Sequence, residues 1–256
     1  MSDIPENAKR HRGEPRDYDR YRPQIPAAVV RLVSGLAPSP LERVVDIGCA
    51  TGLSTRVWVD HAAEVIGMDP NPVSLAFARE RGGPRYEART ADDTGLPSAS
   101  VDLVTVVTAI HWIDGDGLLD EARRILRPNG LLASISAGLP PTIGWAIDEA
   151  TLGVYQGAAA MRRERGVDAT IGPPSRDDPF ERAREHGFAA VKRLAMHHEE
   201  RRDAASILGF MRSLGDVATM LREGVGEHEL GLTRLRGLLG DREHTVTWTW
   251  YLRLAR

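Results

Sequence analysis

Three acidic residues stand at corresponding places along the first part of the chain, each at or just after the end of a candidate strand. Asp46 lies near the end of a first short apolar run, which leads into a turn with Gly48 and Gly52. Asp69 ends a second apolar run, 21 residues after Gly48, and Asp92 follows a third candidate strand at 85–90. Short apolar runs are typical of parallel strands, whose carboxyl ends meet at one edge of a sheet. We therefore expect the three carboxylates at the same edge.

These residue types favour a ligand with hydroxyls and a cationic group over a bare phosphate. The two glycines allow a sharp turn and a close approach of backbone to ligand. Free N–H groups at a following helix start would favour an anionic or hydroxyl-bearing group. Asp46 beside the turn would repel a pyrophosphate but attract an amino group. Asp69 stands where doubly wound sheets place a carboxylate on ribose hydroxyls.

A nicotinamide-dependent dehydrogenase of similar topology is the first alternative. That class requires the spacing G-x-G-x-x-G after the first strand. Here the turn reads Gly48-Cys49-Ala50-Thr51-Gly52 and follows an acid, so the pattern disfavours this class.

Five segments, in order and at the usual spacing, resemble the class I S-adenosylmethionine-dependent methyltransferases. The resemblance covers residues 18–137 well and the rest loosely, and it departs from the family at Ala50, where glycine is usual. Residues 17–26 further resemble the lead-in of a small-molecule subgroup related to trans-aconitate methyltransferases. The five segments are 44–55, Asp69, 89–97, 100–105 and 122–130.

This resemblance implies S-adenosylmethionine as the cofactor and a set of residues that hold it. Asp46 would meet the amino-acid end, Asp69 the ribose hydroxyls and Asp92 the adenine amino group, with Asp93 as a close alternative to Asp92. Capping of a helix or turn is the structural alternative for Asp46 and Asp92. The expected cofactor-binding residues are Asp46, Gly48, Ala50, Gly52, Asp69, Pro70, Ala91, Asp92 and Thr108.

Two further groups are expected near the acceptor. His111 and Trp112 follow the fourth apolar run, where they face the methyl group or the substrate. The unperturbed pKa of histidine suits a general base, but the pair also occurs in relatives with different substrates, which favours a role as pocket wall. Tyr18, Tyr21 and Arg22 form either a lid or a surface linker, and we favour the lid.

Several other residue clusters are better explained by structural roles than by a metal-binding or catalytic site. The run 197–200, His-His-Glu-Glu, alternates between two faces of a strand and is no metal site. Cys49 has no histidine partner for nucleophilic work. The basic run 162–165 has the pattern of a solvated helix face, although it could also face an acidic substrate. We expect no metal.

Alternating strands and helices predict an α/β fold with a parallel sheet and helices on both of its faces. The resemblance implies that this is a doubly wound, mostly parallel seven-stranded sheet with an antiparallel last strand, and the extra length before its last strands predicts a helical cap insertion. Helices are predicted at 51–62, 181–186 and 221–239 among others, and a strand at 188–197. The regions are an N-terminal arm and lid helix (1–40), a cofactor-binding core (41–137), a cap insertion (138–187) and the C-terminal strands and helices (188–256).

Length, composition and charge indicate the size of the domain, the partners to exclude and the cellular location. A length of 256 residues with 42% hydrophobic residues suffices for one large α/β domain. A net charge of −3 gives no bulk attraction to nucleic acid, and one cysteine allows no internal disulfide. No apolar run approaches bilayer length and the N-terminus is unlike a signal peptide. We expect a cytoplasmic protein without nucleic-acid or membrane partners, as a monomer or homodimer.

The expected reaction is methyl transfer by in-line displacement to a small-molecule acceptor. A carboxylate, a hydroxyl or an amine fits equally, including groups on a secondary metabolite. Two alternatives remain open. One is a catalytically inactive S-adenosylmethionine-binding protein, and the other is methylation of a secondary metabolite at carbon.

Overall fold

The computed structural model describes residues 15–167 and 177–256. Residues 1–14, at the start of the predicted N-terminal arm, and residues 168–176, within the predicted cap insertion, lie outside these described residues. Seven strands form one sheet with the order β3-β2-β1-β4-β5-β7-β6. The strands are β1 (Arg43–Ile47), β2 (Glu64–Met68), β3 (Arg85–Glu87), β4 (Val101–Val107), β5 (Leu126–Ala137), β6 (Val191–Asp203) and β7 (Glu243–Ala255).

The first five strands are parallel, and β7 is antiparallel to both of its neighbours, β5 and β6. The predicted doubly wound sheet with an antiparallel last strand is therefore confirmed. Because the parallel strands all run the same way, the carboxyl ends of β1, β2 and β4 meet at one edge, as the three acids had indicated.

Helices cover both faces of the sheet. The first face packs against α2 and α5 to α8, while the second packs against α4, and α3 lies over β3. Adjacent residues of β1 show the alternation, since Val44 belongs to the first core and Val45 to the second. The helices are α1 (Pro15–Tyr21), α2 (Ala27–Leu36), α3 (Pro72–Arg81), α4 (Gly115–Ile125), α5 (Trp145–Glu164), α6 (Ala204–Ser213), α7 (Gly215–Arg222) and α8 (Leu232–Leu239).

The helix predicted at 51–62 is wrong. This segment is a series of turns with a single 3₁₀ turn at Arg56–Trp58. Ser54 and Thr55 do not cap a helix, because both hydroxyls donate to Asp46 instead. These tertiary hydrogen bonds use the hydroxyls that would otherwise cap a local helix, so they override the local preference.

Three further boundaries differ from the prediction. Residues 181–186 form turns after a 3₁₀ turn at Pro179–Glu181, and the strand predicted at 188–197 begins later and runs to Asp203. The helix predicted at 221–239 is instead the end of α7, a turn segment and then α8. Gly224 follows the end of α7 with a φ angle of +83°, and Gly231 precedes α8 with a φ angle of +80°. A right-handed helix does not continue through these left-handed conformations.

No helix in the described part of the chain is both long enough and apolar enough to cross a bilayer.

The exposed loop before β4 provides a test of the backbone geometry. Ala99 has a φ angle of +51°, which costs a residue with a Cβ about 1–2 kcal/mol. We predict that Ala99→Gly raises the free energy of unfolding by about 1 kcal/mol in urea titrations. Ala76→Gly, at an exposed position inside α3, is the control and should lower it by about 1 kcal/mol. Destabilisation of similar size at both positions would contradict the assigned backbone conformation.

Candidate functional site

An open cleft of about 420 Å³ lies over the carboxyl ends of the parallel strands. This volume is within the range of small-molecule and cofactor sites. Its floor comes from the ends of β1, β2 and β4 and the segments that follow them. The cleft brings together many of the residues predicted from the sequence: Tyr18, Arg22, Gly48, Asp69, Pro70, Ala91, Asp92, Thr108, His111 and Trp112.

The roof of the cleft comes from two helices that are distant in sequence, α5 and α7. Tyr155 and Arg162 lie on α5, within the predicted cap insertion, while Asp216 and Thr219 lie on α7. Arg162 Nη1 donates to Asp216 Oδ1 at 2.8 Å and so joins the two roof helices. Sequence reasoning missed the α7 residues, because nothing in their spacing indicates that α7 packs against α5 and lines the cleft.

Asp46 is fully buried and does not line the cleft. Its Oδ2 accepts hydrogen bonds from the hydroxyls of Ser54 and Thr55, each at 2.7 Å. Its Oδ1 accepts from Thr105 Oγ1 on β4 at 2.8 Å. Burial raises the pKa of Asp46, and the three hydroxyls oppose that shift. Asp46 therefore holds the turn against the sheet, and its contact with a ligand would run through Ser54.

Unlike Asp46, Asp69 lines the cleft, and 8% of its surface remains exposed. Its Oδ2 accepts from the backbone N–H of Ala50 at 2.9 Å, and its Oδ1 accepts from the N–H of Asn71 at 2.8 Å. Burial raises the pKa of Asp69, while these two N–H groups lower it. Each oxygen keeps a lone pair, so the carboxylate can still accept from two hydroxyls.

The glycine turn is built around Asp69 and Met68. The N–H groups of Gly48 and Cys49 both donate to the Met68 carbonyl, at 2.7 and 3.0 Å. Ala50 has a φ angle of +44°, which explains why glycine is usual at this place in the family. Gly48 reaches the cleft, whereas Ala50 and Gly52 lie behind it. A side chain at Gly52 would collide with the Tyr86 ring.

The segment after β4 forms one wall of the cleft. Thr108 takes a left-handed φ of +52°, which redirects the chain into the 3₁₀ turn at Ile110–Trp112. The rings of His111 and Trp112 lie 4.9 Å apart and both line the cleft. Asp114 follows them on the same wall. A strained residue at this point is a common feature of functional sites.

The three predicted lid residues separate into two groups. Tyr18 and Arg22 line the cleft, and the Arg22 guanidinium lies 4.9 Å from the Tyr18 ring centroid. Tyr21 instead packs into the core, where its ring fills the space beside Gly209. Its place on α1 thus gives Tyr21 a structural position, away from the cleft lining.

Other candidate groups have structural explanations. Burial raises the pKa of Cys49 well above its usual value, so the thiol has little nucleophilic character. His197 and His198 alternate on β6, opposite Thr249 and Trp248 of β7. The described residues contain no group of three or more His, Cys, Asp or Glu side chains suited to a metal ion.

Comparison with known proteins agrees with this geometry. Residues 45–134, from β1 into β5, match the family model of a methyltransferase domain. An uncharacterized methyltransferase of Mycobacterium tuberculosis (strain ATCC 25618 / H37Rv) is 34% identical over 130 residues, which are 50% of this chain and 52% of that protein. Trans-aconitate 2-methyltransferase of Acidovorax sp. (strain JS42) is 30% identical over 128 residues, 48% of this chain and 49% of that protein. The matched segment spans about half the length of these relatives.

A solved structure is similar over a greater length. A candidate type II methyltransferase from Anaeromyxobacter dehalogenans superposes with a TM-score of 0.69 at 27% identity, covering 92% of this chain and 98% of that one. The likeness therefore extends well beyond the segment 45–134 that the family model matches.

The hydroxyls around Asp46 provide a test of its structural role. Thr105→Val keeps the shape of the side chain but removes one donor to a buried carboxylate. We predict a loss of about 1.5–3 kcal/mol in the free energy of unfolding, measured in urea. Ser134→Ala on the adjacent strand is the matched control, because its buried hydroxyl has no partner among the described residues, and it should be nearly neutral. Equal losses at the two positions would show that Asp46 does not depend on its hydroxyl donors.

Proposed function

We propose that this chain, which carries a domain of the class I S-adenosylmethionine-dependent methyltransferases, transfers a methyl group to a small-molecule acceptor bound under its roof helices. The observation that carries the proposal is the placement of Asp69, Asp92 and the His111–Trp112 pair around one cleft of about 420 Å³. When bound, S-adenosylmethionine supplies an electrophilic methyl group on a sulfonium.

The residues of the cleft fit that cofactor. Asp69 presents two carboxylate oxygens with free lone pairs, which suits two ribose hydroxyls. Pro70, Ala91 and Asp92 continue the same side of the cleft and would hold the adenine. Gly48 and Thr108 would border the amino-acid end, with Asp46 acting behind Ser54. Asp93 is absent from the cleft lining, which supports Asp92 over its neighbour as the adenine-side acid.

For this reaction the protein must align the acceptor with the methyl group and exclude water from the cleft. The nucleophile of the acceptor must stand in line with the methyl group and the sulfur. The roof residues Tyr155, Arg162 and Thr219 face the wall formed by His111 and Trp112 across the cleft, so an acceptor would be enclosed between them. This enclosure supports a small molecule as the acceptor.

Arginines in the cleft support an acceptor that carries a negative charge. Arg22, Arg89 and Arg162 all line it, although Arg162 is paired with Asp216. A carboxylate acceptor needs no general base, whereas a hydroxyl or a protonated amine does. We favour His111 as part of the wall, and its position in the cleft also suits a base for those acceptors.

The binding experiment that tests the proposal is calorimetric titration with S-adenosylmethionine and, separately, with S-adenosylhomocysteine. We expect micromolar binding of both. Methyl transfer from the labelled cofactor to compounds in a cell extract then separates an enzyme from an inactive cofactor-binding protein. Failure of both ligands to bind would overturn the proposal.

Asp69→Asn tests the ribose contact. The amide loses the negative charge and one acceptor, so S-adenosylhomocysteine should bind on the order of a hundredfold more weakly by calorimetry. Burial raises the pKa of Asp69, so the wild-type affinity should also fall as the pH drops through that raised pKa, where the carboxylate takes up a proton. The variant should lack this fall. Asp93→Asn is the control and should bind normally; an unchanged affinity in Asp69→Asn would remove Asp69 from the site.

His111→Ala tests the wall of the acceptor site. Turnover of labelled methyl should fall about tenfold or more, while the affinity for S-adenosylhomocysteine should stay within about twofold. A wall residue lowers the rate equally at every pH, whereas a base removes the acidic limb of the pH–rate profile. His228→Ala, at an exposed position, is the control. Unchanged turnover in His111→Ala would exclude both roles.

A further inference from the structure

The strand at one edge of the sheet, β6, is long and open on its outer side. It has 13 residues, Val191–Asp203, and pairs with β7 over its whole length. In the described part of the chain, no other strand and no backbone hydrogen bond reaches its outer edge. Strands of globular proteins usually have about 5–6 residues, and a long open edge is a template for pairing with another chain.

The two faces of β6 differ in exposure. On the face toward the helices, Met196 packs against the first core and Arg202 Nη1 donates to the Tyr21 carbonyl at 2.8 Å. On the other face, the odd-numbered residues from Arg193 to Asp203 are all exposed. A strand added beside β6 would therefore continue one face that is partly covered and one that is open.

The charges of β6 are separated along the strand. Lys192 and Arg193 lie near its start, Glu199 and Glu200 lie further on, and Met196 is midway between the two pairs. Two copies of β6 that pair antiparallel about Met196 would place Lys192 opposite Glu200 and Arg193 opposite Glu199, each twice. Opposite charges directly across two strands stabilise their pairing.

The neighbouring registers lack this complementarity. Directly opposite residues point to the same face, so a twofold axis perpendicular to the sheet must pass through a residue and not between two. Centring the pair on residue 197 sets Arg193 opposite Arg201, and centring it on residue 195 sets both basic residues opposite histidines. Charges on an edge strand often prevent pairing, but here they also select one register.

The exposed pair can form a contact with another chain at little cost. Arg193 is 53% exposed, and the two acids nearest to its guanidinium lie 3.4 and 3.9 Å away. The exposed Glu199 carboxylate accepts a long hydrogen bond of 3.5 Å from Thr247 Oγ1. Glu200 is held more firmly, because it accepts from Trp248 Nε1 at 2.6 Å. Arg193 and Glu199 are therefore the positions at which charge can be changed without disturbing the core.

We propose that β6 is an interaction surface for a second copy of this chain, which pairs antiparallel with it about Met196. Residues 191–201 of both copies would overlap, which provides about ten backbone hydrogen bonds, as many as a typical specific interface. The pair is isologous, so it closes after two copies and joins the two seven-stranded sheets into one. The proposal is independent of the methyltransferase function, because β6 contributes no residue to the cleft lining.

Disulfide cross-linking tests the register. In Met196→Cys the two thiols would face each other across the axis, where Cα atoms about 4.5–5.5 Å apart can be bridged. We expect mild oxidation to give a covalent dimer that a reductant separates. Leu194→Cys is the matched control, because its two copies would stand roughly 13 Å apart along the strands, and it should not cross-link. The native Cys49 is buried, so the oxidised wild type is the blank.

Charge reversal, measured by sedimentation equilibrium, tests the pairing. The wild type should dimerise, and Arg193→Glu and Glu199→Lys should each raise the dimer dissociation constant about tenfold or more, since each creates two like-charge pairs. An equimolar mixture of the two variants should dimerise like the wild type, because both pairs are then opposite in charge again. Glu80→Lys, exposed on α3 at the other edge of the sheet, is the control and should change nothing.

Thermal denaturation checks that each variant is folded, and recovery in the mixture excludes misfolding as the cause of a weakened dimer. A wild type that stays monomeric up to millimolar concentration would overturn the proposal. A dimer that Met196→Cys does not cross-link, or that neither charge reversal weakens, would use another surface and would overturn it as well. A cross-link in Leu194→Cys would contradict the register.

Discussion

The hydrogen bonds to the Asp46 carboxylate are the constraint on which the cleft depends. A buried carboxylate is tolerated only when it is well bonded, and here three hydroxyls from the turn and from β4 meet it. They draw the residues after β1 inward, which prevents a regular helix from starting there. The same turn places the Ala50 N–H on Asp69, so the buried acid indirectly positions the exposed one. A local rule about helix capping is broken, and the resulting turn borders the cleft.

The two sides of the cleft are built by different means. The floor follows from parallel strands, since the ends of β1, β2 and β4 necessarily lie together. The roof depends on packing between α1, α5, α6 and α7, joined by contacts such as Arg162 with Asp216 and Arg22 with the Ser213 carbonyl. The topology of the sheet therefore fixes the floor of the cleft, whereas the roof depends on contacts between helices that are far apart in the chain.

The charged side chains of the cleft are divided between its two sides. Asp69 and Asp92 stand on the strand side, and Asp46 is buried beneath the adjoining turn. Arginines at 22 and 162 stand on the roof side, and only the second has a carboxylate partner among the described residues. An unbalanced buried cation is costly in a free protein, because its lost hydration is not replaced.

The sequence by itself determined the sheet, its strand polarity and the acids at its edge, because apolar runs, glycine turns and spacing are local patterns with a fixed geometric consequence. It also located His111 and Trp112 beside that edge. Only the tertiary structure decided that Asp46 is buried and bonded to Ser54 and Thr55, that Tyr21 packs into the core while Tyr18 and Arg22 line the cleft, and that α7 forms part of the cleft lining. These outcomes depend on contacts between residues far apart in the chain, and burial and hydrogen bonding there override local preference.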